Sequence, residues 1–167
     1  MHAEASLFDG IFRQVAWVTN DMDRALAAYA ADYGVKRWLE LRNFSLPTGP
    51  DTHANVHIAL AVRGGVELEL IQPLGGDDRV YRQILTQNLG LQLHFHHICY
   101  RLITAEALAG VRHAAEARGR AVVLHGATAT GTEYFYVDDR PTLGHHIEYI
   151  YYSPDDLRQL ASAIPVD

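Results

Sequence analysis

Runs of apolar residues divide the chain into two halves with the same order of elements. In the first half, an apolar strand over 11–18 precedes a helix whose apolar positions over 22–33 recur at helical spacing. In the second half, a strand over 94–102 precedes a helix over 104–117. Three further strands follow each helix, over 35–41, 56–62 and 66–72 in the first half and over 121–124, 133–137 and 145–151 in the second.

This repeated order predicts an α+β fold in which two βαβββ modules form one curved mixed sheet. Module one covers about 11–73, a connecting helix about 77–90, module two about 94–151 and a C-terminal helix about 154–163. We predict a single domain over 1–167, because 49% hydrophobic residues can build one core of this size. An unrelated α+β sandwich without a true repeat is the alternative.

In module one, polar residues fall on one face of the first and fourth strands. Side chains alternate between the two faces of a strand, so Phe12 and Gln14 are expected to turn away from the helices. On the fourth strand the leucines face the helices, and the carboxylates of Glu67 and Glu69 point the opposite way. An amide and carboxylates are therefore expected on one concave side of the sheet.

Module two repeats this placement, with His96 predicted to face the helices. The side chains expected on the concave side of its first and last strands are Phe95, His97, Cys99, His146, Glu148 and Ile150. Gln14 and Glu69 lie 55 residues apart in module one. His97 and Glu148 lie 51 apart in module two, a similar interval, as a duplicated half-site would give.

The set Gln14, Glu69, His97 and Glu148 is oxygen-rich with one imidazole, which suits Zn²⁺, Mn²⁺, Co²⁺, Ni²⁺ or Fe²⁺. Two carboxylates would neutralise a divalent ion, and its open positions would let the ion polarise a carbonyl. Taken singly, each residue also fits an ordinary role, a solvated glutamate or a structural histidine. The sequence thus predicts a metal-binding cup on the concave side.

Composition excludes several classes of protein. A net charge of −6 and no basic cluster longer than Lys36-Arg37 argue against nucleic acid or an anionic membrane as partner. No apolar run is long enough for a membrane span, and we expect a cytoplasmic protein. Cys99 is the only cysteine, which excludes an intrachain disulfide, and neither a phosphate-binding P-loop nor a Gly-x-Ser-x-Gly motif is present.

Four stretches resemble the vicinal oxygen chelate superfamily, which includes glyoxalases, bleomycin resistance proteins and dioxygenases. They are ELELIQPL at 67–74, VYRQIL at 80–85, HHICY at 96–100 and GHHIEYI at 144–150. The resemblance covers roughly 11–151 and is strongest to the glyoxalase-like and methylmalonyl-CoA epimerase-like branch. It implies paired βαβββ modules around a divalent metal, and a homodimer.

The resemblance implies that the ligands are Gln14, Glu69, His97 and Glu148, a set similar to that of eukaryotic-type glyoxalase I. Epimerases of the family typically have His, Gln, His and Glu instead. They also use an additional acid in module one, which the stretch 43–55 does not identify.

From this we predict a metal-dependent glyoxalase-like isomerase, lyase or epimerase. It would transfer a proton next to a metal-bound carbonyl or thioester through an enolate, with Glu148 as the first candidate base and Glu69 as the second. The expected substrate is a small, apolar or aromatic carbonyl compound. Its predicted lining is Phe12, Phe95, Tyr134, Tyr136, His146 and Ile150. Arg140 could bind a carboxylate or phosphate of the substrate, or be a solvated loop side chain.

Two other functions stay open. An extradiol-type Fe²⁺ dioxygenase needs two histidines and one carboxylate, so His146 or His57 would have to replace Gln14. A drug-sequestering binding protein needs an aromatic cavity and no metal, but its carboxylates would then be buried without a cation.

Overall fold

A computed structural model describes Ser6, Leu7 and residues 9–166 of the chain. The predicted domain over 1–167 also includes residues 1–5, 8 and 167, which lie outside the described residues. The strands are β1 Ile11–Thr19, β2 Leu39–Pro47, β3 His53–Arg63, β4 Val66–Gly76, β5 Leu93–Arg101, β6 Val122–Ala127, β7 Glu133–Asp138 and β8 His146–Tyr151. The helices are α1 Met22–Asp32, α2 Arg79–Arg82, α3 Ala105–Ala117, α4 Arg140–Leu143 and α5 Pro154–Ala163. No helix of this described part is long and apolar enough to span a membrane.

All eight strands form one sheet in the order β2-β3-β4-β1-β5-β8-β7-β6. Within each half the first and fourth strands pair in parallel, β1 with β4 and β5 with β8, while β1 and β5 join the halves in antiparallel fashion. The sheet is curled into a half-barrel, which confirms the predicted α+β fold with a curved mixed sheet.

The two edge strands approach each other because the sheet curls. The Tyr134 hydroxyl on β7 donates a hydrogen bond of 2.5 Å to the Pro47 carbonyl at the end of β2. On β6, a Cβ added to Gly126 would lie 2.4 Å from the same oxygen, so only glycine fits this approach. These contacts hold the concave interior closed along one side.

Apolar side chains fill three regions. One cluster packs α1 on the convex face around Tyr29 and Leu70, and a second packs α3 around Phe135 and Tyr149. The third fills part of the concave interior and includes Tyr81 from α2. Helices α1 and α3 therefore cover the outer face, and the polar residues of the central strands are directed inward.

The helix predicted over 77–90 is wrong in length, since α2 is a single turn over Arg79–Arg82. The segment after it is held by side-chain hydrogen bonds instead. Gln92 accepts from the amide of Thr86 and donates to the carbonyls of Thr86 and Asn88. A polar side chain thus satisfies backbone groups that a helix would otherwise have paired.

Candidate active site

Four adjacent central strands bring the predicted polar residues to one place. Ala16 on β1 is in register with Glu69 on β4 and with His97 on β5, and Glu148 on β8 is in register with Cys99 of β5. The Gln14 side chain lies beside the Glu69 carboxylate and favours its charged form. The side chains of Gln14, Glu69, His97 and Glu148 are buried and converge on the floor of the concave side.

The imidazole of His97 is the centre of this cluster. Its Nε2 atom lies 3.2 Å from Oε2 of Glu148 and 3.4 Å from Oε2 of Glu69. Neither His97 Nε2 nor Glu69 Oε2 has an aligned hydrogen-bond partner within the described part of the chain. Both carboxylate oxygens therefore lie close to the imidazole nitrogen, which has no aligned hydrogen bond with either of them.

Burial and charge act together on these groups. Burial opposes the charged form of His97, but the two neighbouring carboxylates outweigh it and raise the histidine pKa to about 9. Burial raises the pKa of Glu69, and His97 only partly offsets that effect. The cluster therefore favours one positive charge, here a proton, between its carboxylates.

A second histidine, His96, orients the ring of His97 through a hydrogen bond. Nε2 of His96 donates to the Val80 carbonyl at 2.9 Å, because a carbonyl can only accept. Burial, with the charge of His97, lowers the pKa of His96 well below its usual value, so its Nδ1 is an acceptor. Nδ1 of His97 lies 2.9 Å away and must donate to it. This arrangement directs His97 Nε2 toward the carboxylates.

The prediction that His96 faces the helices is therefore wrong. The pairing of β1 with β5 shifts between Ala16 and Trp17, which leaves His96 in a bulge on the same side as His97. The shift also turns Phe95 outward, where its ring contacts Trp17 and His145. Phe95 is 40% exposed and does not line the concave cavity, contrary to the alternation expected for a regular strand.

A similar irregularity in β1 displaces Phe12. Pairing with β5 shifts between Phe12 and Gln14, so the intervening Arg13 lies on the concave side, 3.7 Å from Glu67. The Phe12 ring packs edge-on against Tyr100, which stacks on Tyr149 in the α3 cluster. The predicted place of Phe12 in the substrate lining is thus wrong.

A cavity of about 590 Å³ opens above the acid–histidine cluster. Of the predicted lining residues, Tyr134, Tyr136 and Ile150 border it, together with Gln14, Glu69 and Glu148. Small-molecule sites have volumes of about 300–1,000 Å³, so the cavity has the size of a ligand site.

His146 and Arg140 lie away from this cavity. The His146 ring stacks on His96 with centroids 4.6 Å apart, and burial followed by the charge of Arg140 lowers its pKa to about 4. Arg140 is paired with Asp138 and borders a separate cavity of about 430 Å³. Neither side chain borders the 590 Å³ cavity.

Two tyrosines near the site were not predicted. Tyr81 from α2 borders the cavity, and its hydroxyl is 3.2 Å from that of Tyr136. Tyr152 borders it from the segment after β8, and burial, with the nearby carboxylates, raises its pKa well above the usual value. Tyr152 follows β8 directly, so extending the alternation by two residues from Ile150 would have identified it.

The cluster can be compared with what a divalent metal requires. Within the described ranges, no three His, Cys, Asp or Glu side chains lie in an arrangement that could hold a metal ion as they stand. Ions such as Zn²⁺ bind imidazole and carboxylate at about 2.0–2.2 Å, which places neighbouring donors about 2.8–3.6 Å apart across octahedral and tetrahedral geometries. The two distances around His97 fall in this range, and its Nε2 and Glu69 Oε2 lack aligned partners. The residues therefore fit a divalent cation by donor type and charge and at the two distances around His97, but they do not form a complete metal cage as they stand.

The fold is similar to that of solved epimerases. Methylmalonyl-CoA epimerase from Mycobacterium tuberculosis matches at 18% identity and a TM-score of 0.59, covering 94% of this chain and 97% of that one. A Streptomyces coelicolor methylmalonyl-CoA epimerase variant in complex with 2-nitronate-propionyl-CoA matches at 14% identity and a TM-score of 0.59, covering 87% and 96%. A methylmalonyl-CoA epimerase in complex with methylmalonyl-CoA and ammonium matches at 15% identity and a TM-score of 0.56, covering 87% and 96%. At such identities the similarity concerns the fold.

Comparison at the sequence level gives the family. No curated protein sequence matches the chain. The sequence profile of the Glyoxalase/Bleomycin resistance protein/Dioxygenase superfamily matches residues 13–136, which run from within β1 to within β7 and include three of the four converging side chains. Because this match spans most of the chain, the protein belongs to the Glyoxalase/Bleomycin resistance protein/Dioxygenase superfamily, also called the vicinal oxygen chelate superfamily.

Proposed function

We propose that the protein is a divalent-metal-dependent enzyme that transfers a proton at the carbon next to a carbonyl group. The observation that carries the proposal is the convergence of His97 Nε2 with the carboxylates of Glu69 and Glu148 beneath a ligand-sized cavity. Family membership and the epimerase fold support an isomerase or epimerase class of reaction.

Gln14, Glu69, His97 and Glu148 would hold the metal. When bound, a divalent cation would polarise the substrate carbonyl and stabilise negative charge on its oxygen. The hydrogen bond from His97 to His96 keeps the Nε2 atom directed toward the carboxylates. Gln14 supplies a neutral oxygen, so the two glutamates alone balance the charge of the cation.

Proton transfer is assigned to Glu148, with Glu69 as the second candidate. Both carboxylates border the cavity, whereas His97 is fully buried beneath them. A carboxylate of Glu148 that faces the ligand can accept the proton from carbon and return it to the same or a neighbouring carbon. The rings of Tyr134 and Tyr136 border the cavity beside these carboxylates and would limit the access of water to the reacting carbon.

A non-catalytic binding protein is the second candidate, favoured by the volume of the cavity. A dioxygenase site has less support, because neither candidate histidine borders the cavity with the carboxylates. Nδ1 of His57 accepts a hydrogen bond from the amide of Asn43, and His146 is stacked on His96.

Exchange of α-hydrogens for deuterium tests the proposal directly. We expect zinc- or cobalt-loaded protein to exchange the α-hydrogens of apolar ketones or hemithioacetals, and chelated protein to lose this activity and recover it when metal is restored. Mass spectrometry of the recovered compound measures the exchange. Ligand binding without any exchange, in loaded and chelated protein alike, would favour the binding protein instead.

A further inference from the structure

The 590 Å³ cavity has one polar end, one long apolar wall and a second polar patch near the start of α5, formed by Thr128, Thr130, Thr132, Asp156 and Gln159. Its polar end is formed by Gln14, Glu69 and Glu148. The wall is formed by aliphatic and aromatic side chains of β2, β3 and β4, namely Leu39, Leu41, Phe44, Leu46, Ile58, Leu60 and Ile71. A ligand that fills the cavity must therefore combine a polar atom at one end with an extended apolar body.

Helix α5 covers part of the opening. Leu160 and Ala163 border the cavity, and the helix is fixed at both ends. At its start, Asp156 accepts from the hydroxyls of Thr130 and Thr132, and at its end the carbonyl of Pro165 accepts from the amide of Val62. The apolar body of a ligand would therefore lie between the β2–β4 wall and α5, shielded from water.

The charges around the cavity are all of one sign. Its charged lining residues are Glu69, Glu148 and Asp156, and no lysine or arginine of the described part borders it. Arg79 and Arg140 border the separate cavity of about 430 Å³. A carboxylate on the far end of a ligand would thus be buried against apolar side chains and acidic groups without a cationic partner.

We propose that this cavity takes a neutral, apolar carbonyl compound, with its chain or ring along the β2–β4 wall, and rejects compounds that carry a free carboxylate. The proposal rests on the proposed function only in placing the carbonyl at the acid–histidine cluster. It separates this chain from a protein that binds methylmalonyl-CoA, a ligand with a free carboxylate and phosphates.

Calorimetric binding of two matched probes tests this selectivity. The probes are 2-decanone and 9-oxodecanoate, which have the same chain length and ketone and differ by the terminal carboxylate. We expect the zinc-loaded and the metal-free protein both to bind 2-decanone at least about tenfold more tightly, since only the carboxylate loses its hydration without a partner. Equal or tighter binding of 9-oxodecanoate or methylmalonyl-CoA, compared with 2-decanone, would overturn the proposal. Failure of both ten-carbon probes to bind would also overturn it.

A positive charge placed in the lining of the cavity should shift the binding preference of the protein toward 9-oxodecanoate. Gln159 of α5 borders the cavity, whereas the neighbouring Ala161 is exposed and does not. We expect Gln159→Arg to improve binding of 9-oxodecanoate about threefold or more, and Ala161→Arg to leave it unchanged. Equal effects of the two variants would contradict the cavity as the binding place. Loss of zinc binding or α-exchange, with the probe selectivity intact, would instead refute only the proposed function.

Discussion

His97→Ala is expected to lose its bound zinc while the protein remains folded. Loss of a group that merely orients a metal ligand weakens metal binding about 10–100-fold, and loss of the central imidazole should weaken it at least about 100-fold. The effect should be large because His97 is the only imidazole among the four proposed ligands and its Nε2 atom lies beside both carboxylates. Isothermal titration with zinc measures the affinity, and circular dichroism measures the fold.

His94→Ala is the matched control, since His94 lies on the same strand and bonds to Gln92 rather than to the cluster. We expect this variant to keep one zinc per chain. Retention of wild-type zinc affinity by His97→Ala would refute the metal centre, and unfolding of the metal-free variant would be detected separately by its dichroism.

Glu148→Gln is expected to slow α-hydrogen exchange by about 10²–10⁴-fold, the usual contribution of a positioned general base. The amide keeps an oxygen in place, as Gln14 does within the same cluster, so metal should still bind, though less tightly. Exchange measured at saturating zinc therefore separates loss of the base from loss of the metal.

Two comparison variants complete this experiment. Glu133→Gln changes a carboxylate on β7 that does not border the cavity, and it should exchange at the wild-type rate. Glu69→Gln should be affected less than Glu148→Gln if Glu148 is the base. A Glu148→Gln protein that exchanges normally would rule this residue out as the base and leave Glu69 as the candidate.

The face of the sheet that holds the site could be predicted wherever the strands are regular. The pairing of β4 and of β8 with their neighbours is continuous around Glu69 and Glu148, so simple alternation places both carboxylates correctly. The order of the longer elements was equally readable, because α1 and α3 each have an apolar face that packs on the sheet. The single-turn helix α4, which buries no residue, was not predicted.

Alternation failed at the two strand irregularities, beside Arg13 and at His96. A bulge adds one residue to one strand, so it reverses the facing of residues beyond it, as seen for Phe12 and Phe95. No residue type in these stretches indicates a bulge. Packing determines where the bulge lies, since His96 there bonds to the Val80 carbonyl and stacks on the His146 ring. Long-range contacts of this kind cannot be derived from local patterns.

The central claim is that four side chains from β1, β4, β5 and β8 hold one divalent cation. A crystal soaked in zinc and measured at the zinc absorption edge tests it most directly, through the anomalous difference map. We predict one strong peak in contact with Gln14, Glu69, His97 and Glu148. A map without a peak among these residues, or with zinc bound only elsewhere, would contradict the account.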